Sequence, residues 1–85
     1  MKVKLNFNKC KSIEDLHNIL MKKFKFPEYY GKNLDALYDC LTEKNCEYDV
    51  EVFYRSGGEL EDYVFEIIDV LKEVDTVECI HIFNK

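Results

Sequence analysis

The sequence predicts one α/β domain over residues 1–85, in which helices cover one face of a three-stranded parallel sheet. Segments with two-residue and with helical hydrophobic periodicity follow one another in the order β-α-α-β-α-β. Each connection between consecutive strands contains a helix, as parallel strands joined by right-handed crossovers require. Charged residues alternate with apolar ones along the strands, which indicates that helices cover only one face of the sheet.

The first strand and the first helix are predicted from a change of periodicity. Residues 1–7 alternate apolar with polar side chains, as a strand with one wet face does. Ser12, with Asp15 three residues later, has the capping-box pattern of a helix start, with aspartate replacing the preferred glutamate. Pro27 ends this helix, because the residue before a proline is pushed out of the helical region. The expected core stripe is Ile13, Leu16, His17, Leu20 and Phe24.

A loop over residues 28–32 leads into a second helix over residues 34–43. Gly31 can adopt a positive φ in this loop without steric cost, and Asn33 is a favoured N-cap residue. The stripe of the second helix that we expect to face the core is Leu34, Leu37, Tyr38 and Leu41.

The other side of the second helix is acidic. Asp35, Asp39 and Glu43 recur every four residues and therefore stack on one face. Like charges at this spacing destabilise a helix by about 0.2–0.5 kcal/mol per pair. No lysine or arginine within the helix relieves them. The row is either a solvated face or, as we favour, a surface for a basic partner.

The second half of the chain predicts a strand, a helix and a strand. Residues 48–54 are β-branched and aromatic, as strands are, and Ser-Gly-Gly at 56–58 is the clearest break in the sequence. Residues 77–83 form the last strand. Between the break and that strand runs a third helix, with its stripe at Leu60, Tyr63, Val64, Ile67, Ile68, Leu71 and Val74.

Composition and charge narrow the class of protein. With 47% hydrophobic residues the chain is too apolar for disorder, and no apolar run reaches the length of a membrane span. The amino terminus lacks the pattern of a secretory signal, so we expect a cytoplasmic protein. Residues 1–27 carry a net charge of +5 and residues 28–85 a net charge of −10. An acidic second half argues against nucleic acid and for a basic protein as partner.

The cysteines and histidines show no signature of a metal or redox site. Cys10, Cys40, Cys46 and Cys79 include no Cys-x-x-Cys pair, and we expect them to be reduced and mostly buried. Two disulfides in a secreted protein, or zinc binding by some of these thiols with His17 or His81, are the alternatives. We expect no metal and no cofactor.

Catalysis is the weaker functional hypothesis. Asp35 and Asp39 could share acid and base duties, but carboxylates on a convex helix lack the desolvation that separates their pKa values. No nucleophile arrangement accompanies them. We expect His17 to be half-buried and hydrogen-bonded, and His81 to face solvent. The sequence therefore favours a protein that is not an enzyme.

Binding to a basic protein is the stronger hypothesis, because tyrosines flank the acidic face. Tyr29 and Tyr30 precede the second helix, and Tyr38 lies between its core and acidic sides. Tyrosine joins a large apolar area to a polar tip and is enriched where interfaces carry their energy. We expect one of Tyr29 and Tyr30 to fill the gap between two helices. Arginines and lysines of a partner would pair with the carboxylates and stack on the rings.

Two runs of sequence resemble the barstar family, intracellular inhibitors of the bacterial ribonuclease barnase. They are Ser12-Ile13-x-Asp15-Leu16-His17, and residues 27–42, Pro-Glu-Tyr-Tyr-Gly-x-Asn-Leu-Asp-Ala-Leu-x-Asp-Cys-Leu-Thr. The resemblance implies three parallel strands packed against helices, and a monomer that inserts its second helix and the preceding loop into a nuclease active site. The contact residues carried over by position are Tyr29, Gly31, Asn33, Leu34, Asp35, Asp39 and Thr42.

Asp39 would take the place of a substrate phosphate. Tyr38 and Glu43 complete the set of candidate partner-binding residues through their positions on the helix. The sequence departs from the family pattern at Tyr38 and around 44–45, where the family has tryptophans, and at Val70, where it has a glutamate. The predicted partner is a small basic ribonuclease of the barnase kind or a similar basic toxin. A regulatory module for another basic protein, without ribonuclease inhibition, is the alternative.

Overall fold

A computed structural model describes residues 1–84 as three strands and three helices. The strands are parallel and lie in the order β1-β2-β3 in one sheet, which confirms the predicted α/β fold and element order. The elements are β1 (Lys2–Asn6), α1 (Ile13–Phe24), α2 (Leu34–Thr42), β2 (Tyr48–Tyr54), α3 (Glu61–Glu73) and β3 (Val77–Asn84).

The sheet has one covered and one open face. Burial alternates along β2, so that Val50 and Val52 are fully buried under the helices while the residues between them are half-buried. The register pairs Val50 with Val3 on one side and with Ile80 on the other. The residues that we call the outer sheet face are Lys2, Lys4, Asn6, Asp49, Glu51, Phe53, Cys79, His81 and Phe83.

The core lies between the covered face of the sheet and the three helices. Its fully buried aliphatic side chains come from all three helices and two strands, so each element is held by the others. Burial of one such side chain stabilises the fold by about 1.5–3 kcal/mol. These side chains are Leu5, Leu16, Leu20, Leu37, Leu41, Val50, Val52, Ile67 and Leu71.

The first helix begins as predicted but differs in two details. Ser12 Oγ accepts from the Asp15 amide at 3.1 Å, while the Asp15 carboxylate accepts from the Lys11 amide at 3.0 Å instead of returning to Ser12. Ile13 was predicted in the core stripe but is 44% exposed, because it is the first helical residue and lies beyond the edge of the sheet.

The end of α1 lies before the proline. Lys25 adopts the left-handed conformation (φ 58°), and the Phe26 amide donates to the Met21 carbonyl at 2.9 Å. The helix therefore closes at Phe24, and Pro27 begins the following turn. Among residues 1–84, no helix is both long and apolar enough to cross a bilayer.

Candidate partner-binding site

The amino terminus of α2 is built by Asn33, as the sequence predicts. Its Oδ1 accepts from the Ala36 amide at 2.7 Å, and its Nδ2 donates to the Gly31 carbonyl at 3.2 Å. One side chain thus caps the helix and holds the preceding loop against it. At the other end α2 stops at Thr42, and Glu43 is the C-cap residue instead of the last helical one.

Asp35, Asp39 and Glu43, the acidic row, are exposed along one side of α2. None of the ion pairs or side-chain hydrogen bonds found within residues 1–84 involves their carboxylates. Successive members are one helical turn, about 6 Å, apart along the helix axis. The last turn of α2 contains no basic residue. The row is therefore a line of negative charges that is free to pair with cations from outside the chain.

Tyr38 lies at the border of the acidic row, and its predicted place in the core stripe is wrong. The ring is 41% exposed, whereas Leu37 and Leu41 are fully buried and Leu34 is half-buried against the core. A helix turns by about 100° per residue, so Tyr38 lies at the edge of the stripe that Leu37 and Leu41 define. Its ring adds an accessible aromatic surface beside the carboxylates.

The two tyrosines before α2 have opposite environments. Tyr29 is 84% exposed, whereas Tyr30 is 5% exposed and is part of the core. This confirms the prediction that one of the two fills the space between helices. The Tyr30 amide donates to the Pro27 carbonyl at 3.0 Å, which folds the loop into a turn and presents Tyr29 at its outer side.

The loop is held from below by His17. Its Nδ1 lies 2.6 Å from the Tyr30 hydroxyl and its Nε2 lies 2.7 Å from the Tyr63 hydroxyl. The predicted hydrogen bonding is present, but His17 is fully buried instead of half-buried, because rings from the loop and from α3 enclose it. The contact joins α1, the loop and α3 beneath the candidate surface.

Burial keeps this cluster neutral. Desolvation, followed by the nearby charge of Lys32, lowers the pKa of His17, and burial raises the pKa of the Tyr30 hydroxyl far above its ordinary value. A neutral imidazole has one donor and one acceptor nitrogen. The ring therefore donates to one tyrosine oxygen and accepts from the other tyrosine hydroxyl, which leaves no buried polar atom of His17 unsatisfied.

The tight turn before α2 uses Lys32 and not Gly31 for the left-handed conformation. Lys32 has φ 53°, and its ammonium is 3.3 Å from the Glu14 carboxylate. The expected positive φ at Gly31 is wrong. Glycine is needed there for space: a Cβ at this position would lie 3.2 Å from Asn33 Nδ2 and 3.4 Å from Ala36 Cβ.

Two contacts organise the carboxyl end of α2. The exposed Thr42 hydroxyl donates to the Asp39 carbonyl at 2.8 Å, so its oxygen can still accept a hydrogen bond. Lys44 donates to the Lys25 carbonyl at 3.4 Å and lies 5.6 Å from the centre of the Phe26 ring. The ammonium of Lys44 is thus directed toward the end of α1 and does not neutralise the acidic row.

The cysteine on α2 has its thiol held protonated. Burial, followed by the charges of Glu43 and Asp39, raises the pKa of Cys40, against a smaller lowering effect of Lys44. A thiol with a raised pKa is a poor nucleophile at neutral pH. Cys40 therefore contributes packing to the base of the helix.

The acidic row lies on a convex surface and not in a cavity. The best-formed cleft, about 470 Å³, lies at the carboxyl ends of β1 and β2, and no residue of α2 lines it. Two carboxylates on a convex helix remain solvated and have no reason to differ in proton affinity. The arrangement of Asp35 and Asp39 is suited to pairing with cations and unsuited to acid–base chemistry.

The sequence did not predict how the loop is supported. Tyr63 was assigned to the core stripe of α3 by its spacing, and nothing in the sequence relates its hydroxyl to a histidine 46 residues away. The only available signal was the buried stripe position of His17, which requires two polar partners if the ring is enclosed.

Comparison with known proteins agrees with this geometry. A family model described as "Barstar (barnase inhibitor)" matches residues 1–78. A Bacillus subtilis (strain 168) protein named "Putative ribonuclease inhibitor YrdF" is 40% identical over 65 residues, which cover 73% of this chain and 71% of that protein. The matched region includes α1, the loop and the whole of α2. The chain therefore belongs to the barstar family.

Proposed function

We propose that this protein inhibits a small basic ribonuclease by covering its active site with the acidic row and the loop before α2. The observation that carries the proposal is the row itself: three exposed carboxylates on one side of α2, without internal partners, next to exposed aromatic rings. The family description as barnase inhibitors and the name of the B. subtilis relative support the same activity.

The acidic row would act by substituting for RNA phosphates. A ribonuclease active site concentrates cationic side chains to bind phosphate, and carboxylates satisfy the same donors through charge-assisted hydrogen bonds. Asp39 is the central member of the row and is flanked by Asp35 and Glu43, each one turn away. We therefore assign Asp39 to the phosphate position and the other two carboxylates to its neighbouring cations.

The residues around the row would provide contact area and polar contacts. Tyr29 and Tyr38 offer exposed rings for stacking with arginine side chains. Thr42 offers a free acceptor, and Gly31 leaves backbone accessible beside the cap. Asn33 and Leu34 complete the candidate surface at the start of α2.

Preorganisation supports a tight complex. The surface is held by the Asn33 cap and by the buried contacts of Tyr30 with His17, so few groups need to be ordered on binding. A surface that is rigid before binding loses less conformational entropy in the complex. We propose a one-to-one complex of a free monomer with its nuclease, formed inside the cell that the inhibitor protects.

A second candidate function uses the same surface. Tyr38 stands where the family has a tryptophan, so the contact surface differs from the family pattern near its centre. The partner would then be another basic protein or toxin, bound through the acidic row without loss of RNA cleavage. An activity measurement on the bound partner separates the two functions.

The sharpest test of the site is Asp39→Ala. The Asp39 carboxylate has no partner within residues 1–84, and alanine has the higher helix propensity, so the melting temperature should stay nearly unchanged or rise slightly. Truncation of one partner of a desolvated charge pair costs about 2–5 kcal/mol or more, so binding to the nuclease should weaken at least about a hundredfold.

Glu66→Ala is the matched control, because Glu66 is also an exposed carboxylate in the middle of a helix and removes the same net charge. Calorimetric titrations and thermal melts of both variants should use a panel of small basic bacterial ribonucleases that includes barnase. If Asp39→Ala lowered the melting temperature while binding was retained, the acidic row would be structural and the proposal would fail.

A further inference from the structure

Three side chains with metal-binding chemistry meet on the outer sheet face. Asp49 lies directly opposite Cys79 in the register of β2 and β3, and His81 is two residues further along β3 on the same face. One possible ligand atom from each of the three residues lies within 4.8 Å of those of the other two. Cys79 and His81 are exposed, so an ion can reach them from solvent.

An irregularity in the strand pairing creates this arrangement. Tyr48 pairs with Val77, but Asp49 pairs with Cys79, so that Glu78 is skipped in the register. An extra residue of this kind redirects the side chains that follow it. The shift places the thiol and the imidazole of β3 beside Asp49.

Asp49 has an oxygen without a hydrogen bond. Its Oδ1 is shielded from solvent, accepts no hydrogen bond among the described residues, and lies 3.5 Å from His81 Nε2. A shielded carboxylate oxygen without a donor costs about 1–3 kcal/mol or more. A cation between Asp49 and His81 would satisfy this oxygen.

Further carboxylates increase the negative charge next to the three side chains. A hydrogen bond from the neighbouring Glu47, together with its charge, raises the pKa of the exposed Glu78, and the charge of Asp49 acts in the same direction. The amino-terminal ammonium, which donates to the Glu47 carbonyl at 2.8 Å, opposes this effect. Electrostatic attraction for a divalent cation is therefore strong at this end of the sheet.

We propose that Asp49, Cys79 and His81 bind one Zn²⁺ ion, with a fourth position open to water or to a ligand. Thiolate, imidazole and carboxylate are the ligands that zinc takes in proteins, whereas magnesium and calcium prefer oxygen ligands only. Ligand atoms of a tetrahedral zinc site lie roughly 3.3–3.6 Å apart, a spacing these side chains reach with small rotations.

This site is separate from the partner-binding surface. It lies on the open face of the sheet, while α2 packs on the covered face through Leu37 and Leu41. The proposal does not depend on ribonuclease inhibition. Zinc should bind the free protein and should leave the affinity of the acidic row for a nuclease unchanged.

Calorimetric titration of the reduced protein with Zn²⁺, in a buffer without chelators, tests the site. We expect one ion per chain, no competition from a large excess of Mg²⁺, and at least about tenfold weaker binding for Cys79→Ser, His81→Ala and Asp49→Asn, in line with the loss of one ligand. Cys46→Ser, which removes another exposed thiol, should leave zinc binding unchanged.

Cobalt provides an independent readout of the ligands. Co²⁺ bound by the wild-type protein should show a thiolate-to-cobalt charge-transfer band that Cys79→Ser abolishes and Cys46→Ser retains. Circular dichroism should show that all variants keep the fold, since the substituted side chains lie outside the core. Equal zinc affinity of Cys79→Ser and wild type, or a cobalt complex without the thiolate band, would overturn the proposal.

Discussion

At the scale of single residues, the candidate surface depends on side chains that never touch a partner. His17 is buried under the loop and contacts the hydroxyls of Tyr30 and Tyr63, while Asn33 connects Gly31 to the first turn of α2. These residues position the exposed side chains. Their loss is therefore expected to affect stability first and binding as a consequence.

Protonation of His17 should make stability depend on pH. Burial and the charge of Lys32 lower the pKa of His17 below its usual 6.5, so the unfolded chain binds this proton more readily than the folded protein does. The free energy of unfolding should be fully retained above about pH 6.5 and should decrease as pH falls below that value. Urea midpoints between about pH 7.5 and 5.5 measure this slope, and His17→Gln should flatten it. Parallel pH profiles for both proteins would show that His17 does not titrate on unfolding.

Gly31→Ala should destabilise the protein by disturbing the cap of α2. The added methyl group would approach Asn33 Nδ2 and Ala36 Cβ closely, and loss of an N-cap costs about 0.5–2 kcal/mol. Gly58→Ala is the matched control, because the nearest atom to its Cβ is 3.8 Å away and its φ is not positive. Gly58→Ala should be neutral or slightly stabilising. Equal urea midpoints for the two variants would contradict a packing role for Gly31.

At the scale of elements, local patterns predicted the framework and long-range contacts set the remaining details. The strand over residues 48–54 and the Asn33 cap were predicted correctly, because alternation and capping are local properties. Tyr38 was misassigned because the edge of a stripe depends on what the helix packs against. Asp49 and Cys79 come together through a register irregularity between two strands, which no local pattern reveals.

The same distinction holds for the candidate site. The acidic row and the separation of Tyr29 from Tyr30 were predictable from spacing and from the need to fill a gap between helices. The enclosure of His17 was not, because it requires Tyr63 from α3 to lie across it. Interactions between distant elements therefore account for what the sequence did not reveal.

Glu43→Lys should stabilise α2 slightly. The substitution removes one like-charge contact with Asp39 and places a cation at the C-cap of a helix whose last turn has no basic residue. Each effect contributes a few tenths of a kcal/mol, so the urea midpoint should rise a little. Glu43→Gln, which only removes the charge, should show about half of this gain. A clear drop in the midpoint for both variants would reveal a structural partner of Glu43.

At the scale of the whole molecule, charge is divided along the chain. Residues 28–85, which contain α2 and the acidic row, carry a net charge of −10, while residues 1–27 carry +5. Such a distribution attracts a basic protein to one part of the surface and orients it before contact. The charge division therefore favours rapid association with a cationic nuclease.

Salt should change the rate of association more than the rate of dissociation. Long-range attraction is screened beyond about 8–10 Å at physiological ionic strength, whereas contacts within the interface are screened much less. Stopped-flow association rates should fall clearly as salt is raised, with dissociation rates nearly constant. An association rate that is independent of salt would contradict electrostatic steering by the acidic half of the chain.

The most direct measurement is a titration of ribonuclease activity with this protein, on a panel of small basic bacterial ribonucleases that includes barnase. For the nuclease that it binds, RNA cleavage should fall linearly and reach zero at one inhibitor per enzyme, and excess RNA should slow the onset of inhibition, as competition for one site requires. A nuclease that forms the complex and still cleaves RNA at its full rate would contradict the proposal that the acidic row covers the active site.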